Sequence, residues 1–318
     1  MTIKTRQISE SLLKMLDKDG SYHEITEIVR IDPYLDMEMR GKDGAIVYYR
    51  GGKLLTIHEK KGLVGLDNKY YLGNETTIVT PDKDDIFGYV CKAKFIMDKY
   101  ESVKSKLIEK EFQQRVVYEN NLSGNADNTD YFIVDVEWAN SNVLGGRADI
   151  VAFRWNHMEH KKRLIQLTLI EVKQGEKAIK TTEMIKNGKK QESPGLAKHY
   201  EDYLKLKSDK EAIRVFKNDM LGVLKQKYQL GLTKGLDNLF HDRDKKINPE
   251  LENDIDFVFL LANYHHYSSA LREECESLPD DCKFYIASFM GYGLYKDRIY
   301  TKNKIKEIYQ DTFTNKRL

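Results

Sequence analysis

Apolar and polar positions divide the 318-residue chain into a β-like first third and a longer stretch in which helical and strand patterns alternate. A short helical pattern, ISESLLKMLDKDG, precedes YLDMEMRGKDGAIVYYRGGKLLTIHE, whose three strand-length runs are broken by Gly-Lys-Asp-Gly and Gly-Gly turn signals. LDNKYYLGNETTIV can add further strand. Residues 1–85 therefore read as a small β-rich domain whose role the pattern does not give, with TPDKDD at 80–85 as the linker.

A helix is expected over about residues 90–120, then the loop ENNLSGNADNTD, then three strand-like segments. These are YFIVDVEWA (131–139), RADIVAFRW (147–155) and RLIQLTLIEVK (163–173), joined by the short polar connections NSNVLGG and NHMEHKK, as hairpin strands are. Ser193-Pro194 reads as N-cap and first-turn proline of a helix GLAKHYEDYLKL, and Ser208 with Glu211 as the capping box of a helix running to about Gln229. DIDFVFLLANY is a buried-strand pattern, SSALREECESL a helix, KFYIASFMGYGLY a strand and KNKIKEIYQDTF a helix. The order α-β-β-β-α-(α)-β-α-β predicts an α/β fold over residues 86–318, a mixed sheet flanked by helices.

Side chains alternate along a strand. In LTLIEVKQG, Leu167 and Leu169 thus share a face with Glu171 and Lys173, while Thr168, Ile170 and Val172 take the other. An acid and a base continue a buried register at the end of a strand that is apolar on both faces. In RADIVAFRW, Asp149 shares a face with Val151 and Phe153 and repeats the anomaly at the start of its strand. If the two strands pair as a hairpin around NHMEHKK, Asp149, Glu171 and Lys173 meet at one sheet edge, either as structural ion pairs or for chemistry. On the preceding helix, at about 100° per residue, Leu107, Ile108, Phe112 and Val116 set the apolar arc; Glu111 falls on it and Glu109 points away. A glutamate in a buried stripe needs a partner or a cation, and the alternative for Glu111 is an i,i+4 ion pair with Arg115.

Composition narrows the partners. The 52 basic and 50 acidic residues leave a net charge of +2, so a nucleic acid would have to meet a local patch. Cys91, Cys275 and Cys282 lack Cys-x-x-Cys spacing and read as free thiols of a reducing compartment, which points to the cytoplasm. The N-terminus is too polar for a signal peptide and no apolar run reaches membrane length, so no membrane partner is expected. His157-x-x-His160 has metal-like spacing but falls in the expected hairpin turn with no third ligand, and His265-His266 ends a strand. With no Gly-x-Ser-x-Gly, Gly-x-Gly-x-x-Gly or P-loop spacing, acyl transfer and nucleotide-loop chemistry have no support.

Asp149 in RADIVAF, Glu171 and Lys173 in LIEVKQG, and Glu111 in EKEFQQRV together resemble the PD-(D/E)xK nuclease superfamily. That family's restriction-endonuclease-like core reads helix, three-stranded meander, helix, strand, with an acid on the second strand and E-x-K on the third. The resemblance covers about residues 105–290. Ala148 stands before Asp149 in place of the proline, and Pro81-Asp82 and Pro279-Asp280 lie in other contexts. His199-x-x-x-Tyr203 stands where some exonuclease branches carry Gln-x-x-x-Tyr, so exonuclease directionality is not implied.

What the resemblance implies is a restriction-endonuclease-like core and a metal-dependent nuclease whose partner is nucleic acid, DNA first; homodimerisation is left open. Asp149, Glu171 and the Val172 carbonyl would hold Mg²⁺ or Mn²⁺, hard cations that take oxygen ligands, with Glu111 available for a second ion. Lys173 would orient the attacking water or neutralise developing charge. Gln174, Arg147 and His199 are candidates for substrate contact, and KNGKKQ (186–191) for the phosphate backbone. The rival expectation is a non-catalytic nucleic-acid-binding or protein-interaction module on the same fold.

Overall fold

The apolar run on both faces of Leu164–Gln174 makes this strand the centre of the larger of two main sheets. The structure, a computed structural model, describes residues 4–71, 78–104, 108–143, 145–155, 163–175, 178–186, 189–193, 195–242, 245–262, 268–287, 292–294 and 299–307. The first part of the chain holds α1 (Glu10–Leu16), α2 (His23–Ile31), β1 (Leu35–Met39), β2 (Ala45–Tyr49), β3 (Gly52–His58) and β4 (Gly62–Val64). Then come α3 (Ile86–Lys104), α4 (Ile108–Asn121), β5 (Tyr131–Ala139), β6 (Arg147–Arg154) and β7 (Leu164–Gln174). They are followed by β8 (Thr182–Lys186), β9 (Lys189–Ser193), α5 (Leu196–Ser208), α6 (Lys210–Gln229) and α7 (Asp237–Phe240). The remainder is β10 (His241–Asp242), β11 (Lys245–Lys246), β12 (Glu250–Leu251), β13 (Asp256–Ala262), α8 (Ser269–Ser277), β14 (Lys283–Ile286) and β15 (Tyr300–Thr301).

The protein is mixed α/β. β5, β6 and β7 form an antiparallel meander, β13 and β14 extend it in parallel, and β15 closes that edge antiparallel. Alternation along β7 serves two cores. Leu167 and Leu169 join Val151, Phe153, Phe257 and Phe259 in the core shared with α5 and α6, whereas Ile170 and Val172 join Ile150 and Ala152 against Phe112, Val116 and Val117 of α4. Each of these side chains larger than alanine contributes about 1.5–3 kcal/mol by leaving water. Trp138 stacks on Phe216 at 4.1 Å and Tyr203 on Phe257 at 4.8 Å, which fixes α6 and α5 over the same face as Glu171 and Lys173.

The smaller sheet, β1–β4, is antiparallel throughout. The β2–β3 hairpin turns on Arg50 and Gly51, both at positive φ (49° and 76°), the pairing that a two-residue turn of this hand requires. A Cβ at Gly51 would lie 2.2 Å from Lys110 Cβ, so the turn presses against α4. Leu12, Leu16, Leu54 and Ile57 belong to the same apolar core as Phe216 and Phe259. Buried charges add to this contact: Lys227 Nζ of α6 lies 2.8 Å from Glu38 Oε1 of β1, both 1% exposed, and Arg40 pairs with Asp135 of β5.

Several boundaries differ from expectation. The N-terminal module holds a second helix, α2, beyond the one expected, and the helix expected over 90–120 is two elements, α3 and α4. α6 is capped by Asp209, whose carboxylate accepts from Ala212 N at 2.9 Å; Ser208 instead closes α5 by donating to the Lys205 carbonyl. α5 starts at Leu196 with Gly195 as its N-cap, two residues beyond the Ser193-Pro194 expected to cap it, and Ser193 ends β9. Part of KNGKKQ forms the β8–β9 hairpin, in which Lys186 pairs with Lys189. Leu107, His157, His160, Pro194, His265 and His266 lie outside the described residues. Among the described residues no helix is long and apolar enough to cross a membrane, and Cys91, Cys275 and Cys282 are free thiols.

Candidate active site

β6 and β7 pair from Arg154–Gln166 to Ile150–Ile170. One further step of that register sets Asp149 opposite Glu171. Here a side chain enters the pairing: the Val172 backbone N–H donates to Asp149 Oδ2 at 2.7 Å. Asp149, Glu171 and Lys173 all line one cleft of about 650 Å³ at the end of the two strands.

The E-x-K pair is closed by a residue from α5. Lys173 Nζ lies 2.9 Å from Glu171 Oε1 and 2.9 Å from His199 Nε2, and His199 Nδ1 lies 3.0 Å from the same Glu171 oxygen. An ammonium can only donate, so His199 Nε2 accepts from Lys173 and the ring proton sits on Nδ1, donating to Glu171. Burial pushes the Glu171 carboxyl up. The His199 hydrogen bond and the Lys173 ammonium outweigh that and hold its pKa below the ordinary value. At Asp149, burial first and the Glu171 charge second push the pKa well above the ordinary value, against the Val172 N–H and Lys173.

The helix contributes Glu109, not Glu111. Glu109 lines the cleft, and burial first raises its carboxyl, with Lys173 opposing and Glu171 and Glu137 reinforcing. Glu111 pairs with Arg50 at 3.3 Å and Arg115 at 3.8 Å, and is not gathered with Asp149 and Glu171. The structure thus does not bring Glu111, expected as a catalytic or metal-binding acid, to the cleft. The cause is helical phase. At 100° per residue Glu109 falls about 20° from the buried Val116 and Glu111 about 140° from it. The expectation on Glu111 comes from counting Leu107, which lies outside the described residues, into the apolar arc.

Arg147 is exposed and lines the cleft. Gln174 follows Lys173 by one residue, takes the other strand face, and is not among the cleft's lining residues, so substrate contact from it is not supported. The structure adds Glu137, which lines the cleft, pairs with Lys110 at 3.3 Å, and holds φ at +56°. No pattern of apolar positions marks it. A left-handed backbone at a non-glycine residue costs about 1–2 kcal/mol and persists where surroundings impose it. The opposite wall needs Gly145, at φ +67°, because a Cβ there would lie 1.9 Å from the Asp202 carbonyl oxygen of α5.

Among the described residues no group of three or more His, Cys, Asp or Glu side chains is gathered as a metal site. What the cleft offers a cation is two carboxylates, the buried Glu171 and the half-buried Asp149, that repel one another. These are hard oxygen donors of the kind Mg²⁺ and Mn²⁺ take, to be completed by main-chain oxygen and water. The donor chemistry fits such an ion. Set against protein-family models, curated proteins and solved structures, the chain matches none of them.

Proposed function

We propose that the chain is a metal-dependent nuclease with a restriction-endonuclease-like core, hydrolysing phosphodiester bonds, in DNA first, in the cytoplasm. One observation carries this: Asp149 from β6 and Glu171-x-Lys173 from β7, 22 residues apart, line one cleft with the Val172 N–H bonded to Asp149. Asp149, Glu171 and the Val172 carbonyl would hold Mg²⁺ or Mn²⁺. When bound, such an ion lowers the pKa of a coordinated water and neutralises phosphate charge. Lys173, held between Glu171 and His199, would put an ammonium where charge builds on the phosphate in the transition state. Glu109 adds a third carboxylate to the cleft, and Arg147 at its rim can meet a backbone phosphate.

The test is incubation of the purified protein with supercoiled, linear and single-stranded DNA and with RNA, in Mg²⁺, Mn²⁺ or EDTA, beside Lys173→Ala. Cation-dependent cutting that the variant loses is the expected result. Cutting in EDTA, or by the variant at the parental rate, overturns the proposal.

A second reading, a non-catalytic nucleic-acid-binding or interaction module, draws on the pairing of Glu171 by both Lys173 and His199, an arrangement that structural ion pairs also adopt. It predicts no heat of Mg²⁺ binding in calorimetric titration, and a Glu171→Gln variant altered in thermal stability alone.

A further inference from the structure

A second cavity, of about 350 Å³, opens between the N-terminal sheet and α4 and shares Glu137 with the candidate active site. Ligand sites begin at about this size. Gln113 lines it, is 0% exposed, and has no hydrogen-bond partner at either Oε1 or Nε2. Its neighbour Gln114 accepts the Gly51 N–H at 2.7 Å, yet its buried Nε2 has no partner either. Buried polar atoms in folded proteins are paired in the great majority of cases, so three unmade positions at one cavity point to a polar ligand.

The remaining lining narrows its chemistry. Two of the four acids are ion-paired: Glu38 with Lys227 at 2.8 Å and Arg40 at 3.5 Å, Glu137 with Lys110 at 3.3 Å. Asp36 lies in the field of Lys227 and Arg40, and Asp67 turns onto the Lys69 N–H at 3.0 Å. Lys53 and Lys69 are exposed at the rim, and the half-buried ring of Tyr48 supplies flat apolar surface. A ligand that answers all of this is planar, carries donors and acceptors on one edge, and bears negative charge at its other end. That is a nucleotide. A glutamine carboxamide sets a donor beside an acceptor, the complement of adenine's N6/N7 edge, and tyrosine rings stack on bases.

We propose that this cavity binds the adenine base of a nucleotide, read by Gln113 and Gln114, with the phosphate toward Lys53 and Lys69. The base can come from free AMP or from an unstacked adenine of a strand lying in the neighbouring cleft. The first source stands without the nuclease reading; the second rests on it.

The experiment is equilibrium titration of the full chain in EDTA. One arm uses AMP, GMP, CMP and UMP; the other uses an oligothymidine carrying one central adenine against plain oligothymidine. Gln113→Met keeps the side chain's length without its hydrogen bonds. AMP binding at least about 10-fold tighter than the other nucleotides, lost in Gln113→Met and kept in Lys173→Ala, is the expected result. It holds whether or not the protein cuts nucleic acid. An adenine preference confined to the oligonucleotide and abolished by the same variant assigns the base to the strand. No preference in either arm of the parent overturns the proposal, as does a folded Gln113→Met variant, checked by circular dichroism, that binds as the parent does. Should that variant not fold, Gln114→Met takes its place, and the parental titrations decide alone if neither folds.

Discussion

The backbone N–H of Val172 donates to Asp149 Oδ2 at 2.7 Å, so the acid of β6 is bonded to the residue that separates Glu171 from Lys173. Strand pairing and the candidate chemistry therefore share one carboxylate. Asp149→Asn keeps an oxygen that can accept this bond but removes the charge; Asp149→Ala removes both. The Asn variant is expected to match or exceed the parent in urea unfolding, because the carboxylate it replaces is partly desolvated and repelled by Glu171. Its cleavage rate is expected to fall by at least about 100-fold. The Ala variant is expected to lose about 1–3 kcal/mol as well, since a buried donor is left unmade. Equal stabilities for the two variants would show that the bond contributes nothing.

Glu109 and Glu111 differ in phase by two residues on one helix, and their variants should separate accordingly. Glu109→Gln is expected to lower the cleavage rate by about 10-fold or more with little change in unfolding. Glu111→Gln is expected to leave the rate within about two-fold. It should cost no more than about 1 kcal/mol, because its pairs with Arg50 and Arg115 are partly solvated. The reverse outcome would return Glu111 to the site.

His199 touches Glu171 and Lys173 but is placed here as a positioning residue. His199→Ala is expected to reduce kcat by about 10–100-fold while KM stays within about two-fold, since the ring fixes the ammonium rather than the substrate. A rise in KM alone, measured on a short labelled duplex, would make His199 a substrate contact instead.

How far the site was legible follows from which rules are local. Strand alternation is local, so Leu167, Leu169, Val151 and Phe153 identify a face, and Asp149, Glu171 and Lys173 stand out as departures from it. Helical phase is not. Around Phe112 and Val116 it depends on which apolar residues the fold buries, and counting Leu107 with them rotated the expected face onto Glu111. Gln113 and Gln114 look like ordinary polar helix positions, because the sheet that buries them comes from residues some 60 positions earlier. The β8–β9 hairpin carries a local signal. Asn187-Gly188 stands between Lys186 and Lys189, the sequence preferred for a two-residue turn.

Lys227 and Glu38 test what holds the N-terminal sheet to the helical layer. Both are 1% exposed, with Nζ and Oε1 2.8 Å apart. Lys227→Met leaves Glu38 with Arg40 alone at 3.5 Å, and removing one partner of a buried pair costs about 3–5 kcal/mol. The double variant Lys227→Met/Glu38→Gln is expected to recover more than half of that loss, because no uncompensated charge remains. Urea unfolding of the four proteins of this cycle measures the coupling. Additive losses would mean that the two side chains do not interact.

Asp36 gives the pH dependence. Burial first, with Asp135 reinforcing, raises its pKa above the ordinary value, while Lys227, the hydrogen bond with Glu38 and Arg40 oppose. The folded state therefore holds this proton more tightly than the unfolded chain, whose aspartates titrate near about 3.9. Linkage sets the sign: where the folded state binds more protons, stability falls as pH rises. The contribution of Asp36 is thus complete below about pH 4 and is lost as pH climbs through its folded pKa. Asp36→Asn, neutral at every pH and able to donate to Glu38, should remove that decline. The gap in urea midpoint between Asp36→Asn and the parent is expected to widen from about pH 5 to about pH 8, with the variant ahead at the higher pH. Midpoints that run parallel across this interval, or a gap that closes, would mean that Asp36 carries its charge in the folded protein as readily as in the unfolded chain.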